Sequence, residues 1–202
     1  MNKTDKKVAI VTGSATGVGA AAAILLAERG CNVVVNYTRS KAEADETAAA
    51  CVARGAETIV FQADVADDDA CRAMAQAAID KWGRIDYLIN NAARTKFNPY
   101  PKLDGVSKQD FLDIYAVNVV GAYQMIRAVT PIMKKQGHGT IVNDSSIGGV
   151  TGIAIYNNKG GFVSAHPMPV GMKEIGGGDG YGYDIGINPQ KNAMLTSSSA
   201  GG

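Results

Sequence analysis

Short apolar runs recur from Lys7 to about Ser145, and their spacing leaves few architectures open. Val8-Ala9-Ile10-Val11, Val33-Val34-Val35, Thr58-Ile59-Val60-Phe61, Ile85-Asp86-Tyr87-Leu88-Ile89 and Thr140-Ile141-Val142 are each of strand length. Most lack polar alternation, as strands covered on both faces do. The stretches between them have helical periodicity, beginning with the small residues of Ala20 to Leu26, which suit close packing. Strand and helix in alternation predict an α/β fold with a parallel sheet, because parallel neighbours need a crossover and the crossover is right-handed. The expected fold is a Rossmann-like, doubly wound sheet in three α/β/α layers. Its ligands belong outside the carboxyl ends of the strands, where the strand order reverses. A length of 202 residues with 46% hydrophobic content supports one core.

Charge and cysteine usage narrow the function classes. Twenty Lys and Arg against nineteen Asp and Glu leave a net charge of +1, too little to gather nucleic acid or an anionic membrane. Residues 1–7 are polar, and no apolar run is of bilayer length, so a soluble, cytoplasmic protein is expected. Cys31, Cys51 and Cys71 match no zinc spacing and suit packing in a reducing compartment. His138 and His166 lack metal partners at suitable spacing. No metal is expected.

Thr12-Gly13-Ser14-Ala15-Thr16-Gly17-Val18-Gly19 follows the first apolar run and opens a helix, the context in which a Gly-rich fingerprint binds a pyrophosphate. Gly13 permits a tight turn. Gly17 lets the main chain approach phosphate, and the helix beginning there offers free N–H groups and partial positive charge. Further along come Asp64-Val65, Asn90-Asn91-Ala92-Ala93, Asn118 and Ile141-Val142-Asn143-Asp144-Ser145-Ser146. This ordered series, over roughly residues 6–156, resembles the short-chain dehydrogenase/reductase family, in particular its 3-oxoacyl-acyl-carrier-protein reductase-like members.

The resemblance implies an NAD(P) cofactor held by Gly13, Ser14, Thr16, Gly17, Val18 and Gly19, with Asp64 and Val65 at the adenine and Asn91, Ala92 and Ala93 after the fourth strand. Ala93 stands in place of the family's usual glycine. The end of the second strand distinguishes the two dinucleotides. An NAD site commonly puts a carboxylate there to accept the ribose hydroxyls, whereas this chain reads Val35-Asn36-Tyr37-Thr38-Arg39-Ser40. With Tyr37 at the strand end, Arg39 and Ser40 supply a charge-assisted donor and a hydroxyl for a 2′-phosphate. NADP is therefore favoured, with NAD as the alternative. Against it, Thr16 stands where many NADP-using relatives carry Arg.

By the same resemblance, Tyr156 is the general acid toward a carbonyl oxygen, Lys159 assists it, Ser146 orients the substrate and Asn118 relays the proton. The chemistry needs a phenol brought from about pKa 10 toward neutrality by a nearby cation. Here the chain departs from the family pattern Tyr-x-x-x-Lys, since Tyr156-Asn157-Asn158-Lys159 is one residue short. On a helix, i+3 lies about 60° to one side of the reference residue and i+4 about 40° to the other. Asn157, Asn158, Gly160 and Gly161 are also poor helix formers. Asp144 puts a carboxylate where relatives tend to carry an uncharged residue.

Beyond Lys159 the family's remaining elements do not appear, and the sheet is expected to lack its last strands. The division is a dinucleotide-binding unit over residues 1–159 and a Gly-rich irregular tail over 160–202. Ile185-Gly186-Ile187-Asn188-Pro189 makes a poor strand. An altered reading frame after about Ile155 is the simplest account of the break. The expected function is a carbonyl–alcohol oxidoreductase acting on a small molecule, with no nucleic-acid or membrane partner, in a family of homo-oligomers. The alternative is a dinucleotide-binding module without turnover.

Overall fold

The computed structural model describes residues 4–98 and 103–145, together with the backbone of four later strands. Five strands, β1 (Val8–Val11), β2 (Asn32–Tyr37), β3 (Thr58–Gln62), β4 (Tyr87–Asn90) and β5 (Thr140–Asn143), pair in parallel in the order β3-β2-β1-β4-β5. The expected doubly wound sheet is therefore present. Strand order reverses between β1 and β4, and the crevice opens beyond their carboxyl ends.

The period of two along β1 sorts its side chains into two cores. Ala9 and Val11 join Val33, Val35, Leu26, Ala48 and Cys51 beneath α1 (Gly17–Glu28) and α2 (Lys41–Val52). Val8 and Ile10 join Val34, Met74, Trp82, Leu88 and Val129 beneath α3 (Asp68–Trp82) and α5 (Ala122–Gln136). All four β1 residues are fully buried, which explains a strand without polar alternation.

Helix ends follow local chemistry. Asp67 caps α3 by accepting from the N–H groups of Asp69 and Ala70, and Gly83, with φ of 74°, ends it. A short helix α4 (Lys108–Tyr115), opened by a Ser107/Asp110 capping box, passes through a π-helical stretch, Ala116–Gly121, into α5. At the sheet's amino end, buried Asp86 accepts from the Val8 N–H at 2.8 Å and takes two bonds from Arg84 at 2.8 and 2.7 Å.

Three short backbone strands lie beyond Lys159, β7 (Phe162–His166), β8 (Asp184–Asn188) and β9 (Ala193–Ser197), with β8 over a stretch expected to make a poor strand. With β6 (Ile153–Tyr156), β7 extends the main sheet in antiparallel fashion, while β8 and β9 form a separate pair. Gly186 weakens a strand but does not forbid one.

Candidate functional site

The Gly-rich turn is fastened to the ends of β2 and β4 before it meets any ligand. Asn36, buried at the end of β2, accepts from the Gly13 N–H at 2.9 Å and donates to the carbonyls of Ala63 (3.0 Å) and Phe61 (3.3 Å). Just past β4, Asn91 Nδ2 donates to the carbonyls of Thr12 at 2.9 Å and Gly13 at 3.1 Å. Thr12 Oγ1 accepts from the N–H groups of Asn91 and Ala92, each at 3.0 Å. Neither Thr12 nor Asn36 was expected as a site residue. Their bonds connect positions 22 to 80 residues apart, which no local motif encodes.

The glycines divide by what surrounds them. Gly13 has φ of 61°, and a Cβ there would lie 2.8 Å from Ala92 Cα. A Cβ on Gly19 would run into Asn91 Nδ2 and the Gly13 carbonyl. Gly17 also has φ of 61°, but a Cβ there meets nothing within 4 Å. Gly13 and Gly19 thus serve packing, while Gly17 borders open space. Thr16 is extended at the N-cap of α1 and its side chain makes no capping bond. Thr16 thus gives the first-turn N–H groups of α1 no side-chain acceptor, and such groups are the donors a helix start offers to an anion.

Two expected contacts turn inward. Ser14 is fully buried; its hydroxyl donates to the Val11 carbonyl at 2.7 Å and accepts from the Asn36 N–H at 2.9 Å. It is a strut of the turn, with its hydroxyl already engaged. Tyr37 is only 8% exposed and packs in the core shared with α1 and α2. Thr38 and Arg39 follow it and are exposed. Ser40 is the N-cap of α2, and its hydroxyl makes no capping bond. Arg39 and Ser40 thus stand together at an open helix N-terminus.

On the other side of the crevice, Asp64 is exposed and its Oδ1 accepts from the Ala66 N–H at 2.9 Å, while Val65 is buried. A cavity of about 680 Å³ is lined by Thr12, Val65, Asn91, Ala92, Ala93 and Asn118 among others, with Asp144 and Ser145 on its β5 side. Asn118 lies in the π-helical stretch. Its Oδ1 accepts from the Arg94 N–H at 2.8 Å and its Nδ2 donates to the Arg94 carbonyl at 3.0 Å. Arg94, also unanticipated, borders the cavity and pairs with Asp113 at 3.1 Å.

The remaining expected residues are not brought to this cavity by any described contact. Ser146 and Lys159 lie outside the described residues. Tyr156 ends β6, whose antiparallel register sets Ile155 opposite Val142. Continuing from Ile155 to Tyr156 therefore leads the backbone away from the carboxyl end of β5, where Asp144 and Ser145 line the cavity.

Residues 7–158 match the family model described as short chain dehydrogenase. The chain is 37% identical over 146 residues to the 3-oxoacyl-[acyl-carrier-protein] reductase FabG of Staphylococcus aureus, covering 72% of this chain and 58% of that relative. It is 36% identical over 152 residues to the corresponding reductase of Synechocystis sp., covering 75% and 60%. Among solved structures, one described as a short-chain dehydrogenase/reductase from Burkholderia xenovorans superposes with a TM-score of 0.70 at 35% identity, over 73% of this chain and 62% of that one. NAD+-bound xylitol dehydrogenase gives 0.65 at 31% identity, over 71% and 54%. The chain thus spans about three fifths of the length of the curated relatives it matches.

Proposed function

Because the chain belongs to the short-chain dehydrogenase family, we propose that it is an NAD(P)-dependent oxidoreductase that favours NADP and interconverts a carbonyl and an alcohol. The observation that carries the reading is the fastened Gly13 to Gly19 turn. Its one open, left-handed glycine, Gly17, adjoins the uncapped start of α1, and that combination fits a pyrophosphate. When bound, the nicotinamide would supply or accept the hydride.

The chain's own residues do the remaining work in this proposal. Arg39 and Ser40 hold the 2′-phosphate, Asp64 and Val65 border the adenine, and Asn91, Ala92 and Ala93 line the nicotinamide side. Ser146 orients the substrate carbonyl, Tyr156 gives its oxygen a proton, Lys159 favours the phenolate and Asn118 passes the proton on. The names of the relatives make a 3-oxoacyl thioester the first carbonyl to try. A cytoplasmic location and homo-oligomeric assembly belong to the same proposal; buried, free Cys31, Cys51 and Cys71 suit a reducing compartment.

A second reading, dinucleotide binding without turnover, is favoured by the register of β6, which leads Tyr156 away from the cavity. Thermal unfolding of the full chain with NADPH or NADH tests the part common to both. A ligand at a hundred times its Kd stabilises the native state by about 2.7 kcal/mol, so a saturable rise in Tm, larger with NADPH, is expected. Equal shifts would overturn the NADP preference, and no shift with either would overturn the cofactor site. Loss of NADPH absorbance with a 3-oxoacyl thioester would then separate the enzyme from the binding module.

A further inference from the structure

The turn after β3, which carries Asp64 and Val65, rests on the first turn of α5, and the contact there is polar. Gln124 is 6% exposed, and its Nε2 donates to two consecutive carbonyls, Ala66 at 3.1 Å and Val65 at 3.4 Å. Its Oε1 is buried with no hydrogen-bond partner among the described residues. A buried amide oxygen left unpaired is costly. Methionine, of similar length and flexibility, would fill the same space without that cost. What methionine cannot do is hold two main-chain carbonyls.

The same helix presses on the turn three residues earlier. A Cβ on Gly121 would lie 2.6 Å from Val65 Cγ2 and 3.0 Å from the Val65 carbonyl oxygen, so the lack of a side chain there lets the helix seat against Val65. Cys71 Sγ donates to the Val65 carbonyl from α3 at 3.3 Å. Within the turn, Asp64 accepts from the Ala66 N–H through its side chain and from the Asp67 N–H through its carbonyl at 3.0 Å. The turn is thus oriented from beneath, leaving Asp64 in solvent and Val65 on the cavity wall.

We infer that Gln124, with Gly121 beside it, is a positioning residue that sets the Asp64 to Ala66 turn for recognition of the adenine half of the dinucleotide. This rests on the cofactor site proposed above. Gln124 acts through the turn, by fixing where the Asp64 carboxylate and the Val65 main chain stand. The helix continuous with the Asn118 segment therefore also sets the adenine side.

The test uses the full chain and two half-ligands, 2′,5′-ADP and reduced nicotinamide mononucleotide, titrated by ligand-observed NMR. Gln124→Met is expected to weaken 2′,5′-ADP roughly three- to tenfold, the scale of one to two hydrogen bonds. Its Tm and its affinity for the mononucleotide should stay at the wild-type values. Gly121→Ala, which pushes on Val65 from the same side, is expected to give the same asymmetric loss and carries the test if Gln124→Met does not fold. Unchanged 2′,5′-ADP affinity in a folded variant, or equal loss of both half-ligands, would overturn the inference. A wild-type chain that takes up neither half-ligand would overturn the dinucleotide site itself, and the inference with it.

Discussion

Glycines 13 and 17 share the same left-handed φ and differ in what an added methyl would touch. Gly17→Ala meets only the conformational penalty of the left-handed region, about 1–2 kcal/mol. Gly13→Ala adds a collision with the Ala92 backbone and is expected to cost about 2–4 kcal/mol in all. Urea unfolding of the two variants measures the difference; equal losses would mean that the Gly13–Ala92 contact relaxes freely. The turn was legible in the sequence because glycine spacing, a preceding strand and a following helix are all local. The inward orientation of Ser14 and Tyr37 was not, since a side chain's direction in a turn depends on partners such as Asn36 that lie far along the chain. Thr12, Asn36 and Gln124 escaped notice for the same reason: each is an ordinary polar residue until its distant carbonyl or N–H is known.

The short α4 has a pH dependence that its neighbours set. Lys96, bonded at 2.7 Å, and then the hydroxyl and N–H of Ser107 hold the Asp110 carboxyl well below the usual carboxylate range. A group lowered in the folded state stabilises it above the unfolded value, near 3.9, and that contribution is lost as pH falls further. Comparing Tm for the wild type and Asp110→Asn, we expect a constant gap from about pH 5 to 7 that closes below about pH 4. A gap that persists unchanged into acid would show that the cap does not depend on the charge. At this scale the five parallel strands were legible because each is a short apolar run. The strands beyond Lys159 were not: β8 is only five residues long, and Gly186 at its centre weakens the strand signal of Ile185 and Ile187.

At the scale of the whole molecule, three buried thiols report on the two cores that flank the sheet. Burial pushes Cys31 and Cys51 up to about 11 and Cys71 up to about 12. In the folded state they stay protonated at neutral pH, so a disulfide reagent at pH 8 is expected to label them at least roughly a hundredfold more slowly than in urea. Rapid native labelling of any one would mean that its core layer opens locally. Because these thiols titrate higher when folded, they also weaken the fold as pH rises above about 9. Among the described residues no helix is long and apolar enough to cross a membrane. The Gly-rich turn lies among the described residues, while Ser146 and Lys159 lie outside them.

The fastening of the phosphate turn by Thr12, Asn36 and Asn91 bears on the thermodynamics of capture. Segments that order only when a partner arrives give up conformational entropy at that moment and show a large negative heat-capacity change. Here the main chain around Gly13 is already bonded to the ends of two strands, β2 and β4. That freedom was surrendered during folding, so a dinucleotide arriving at this end of the sheet has little left to immobilise.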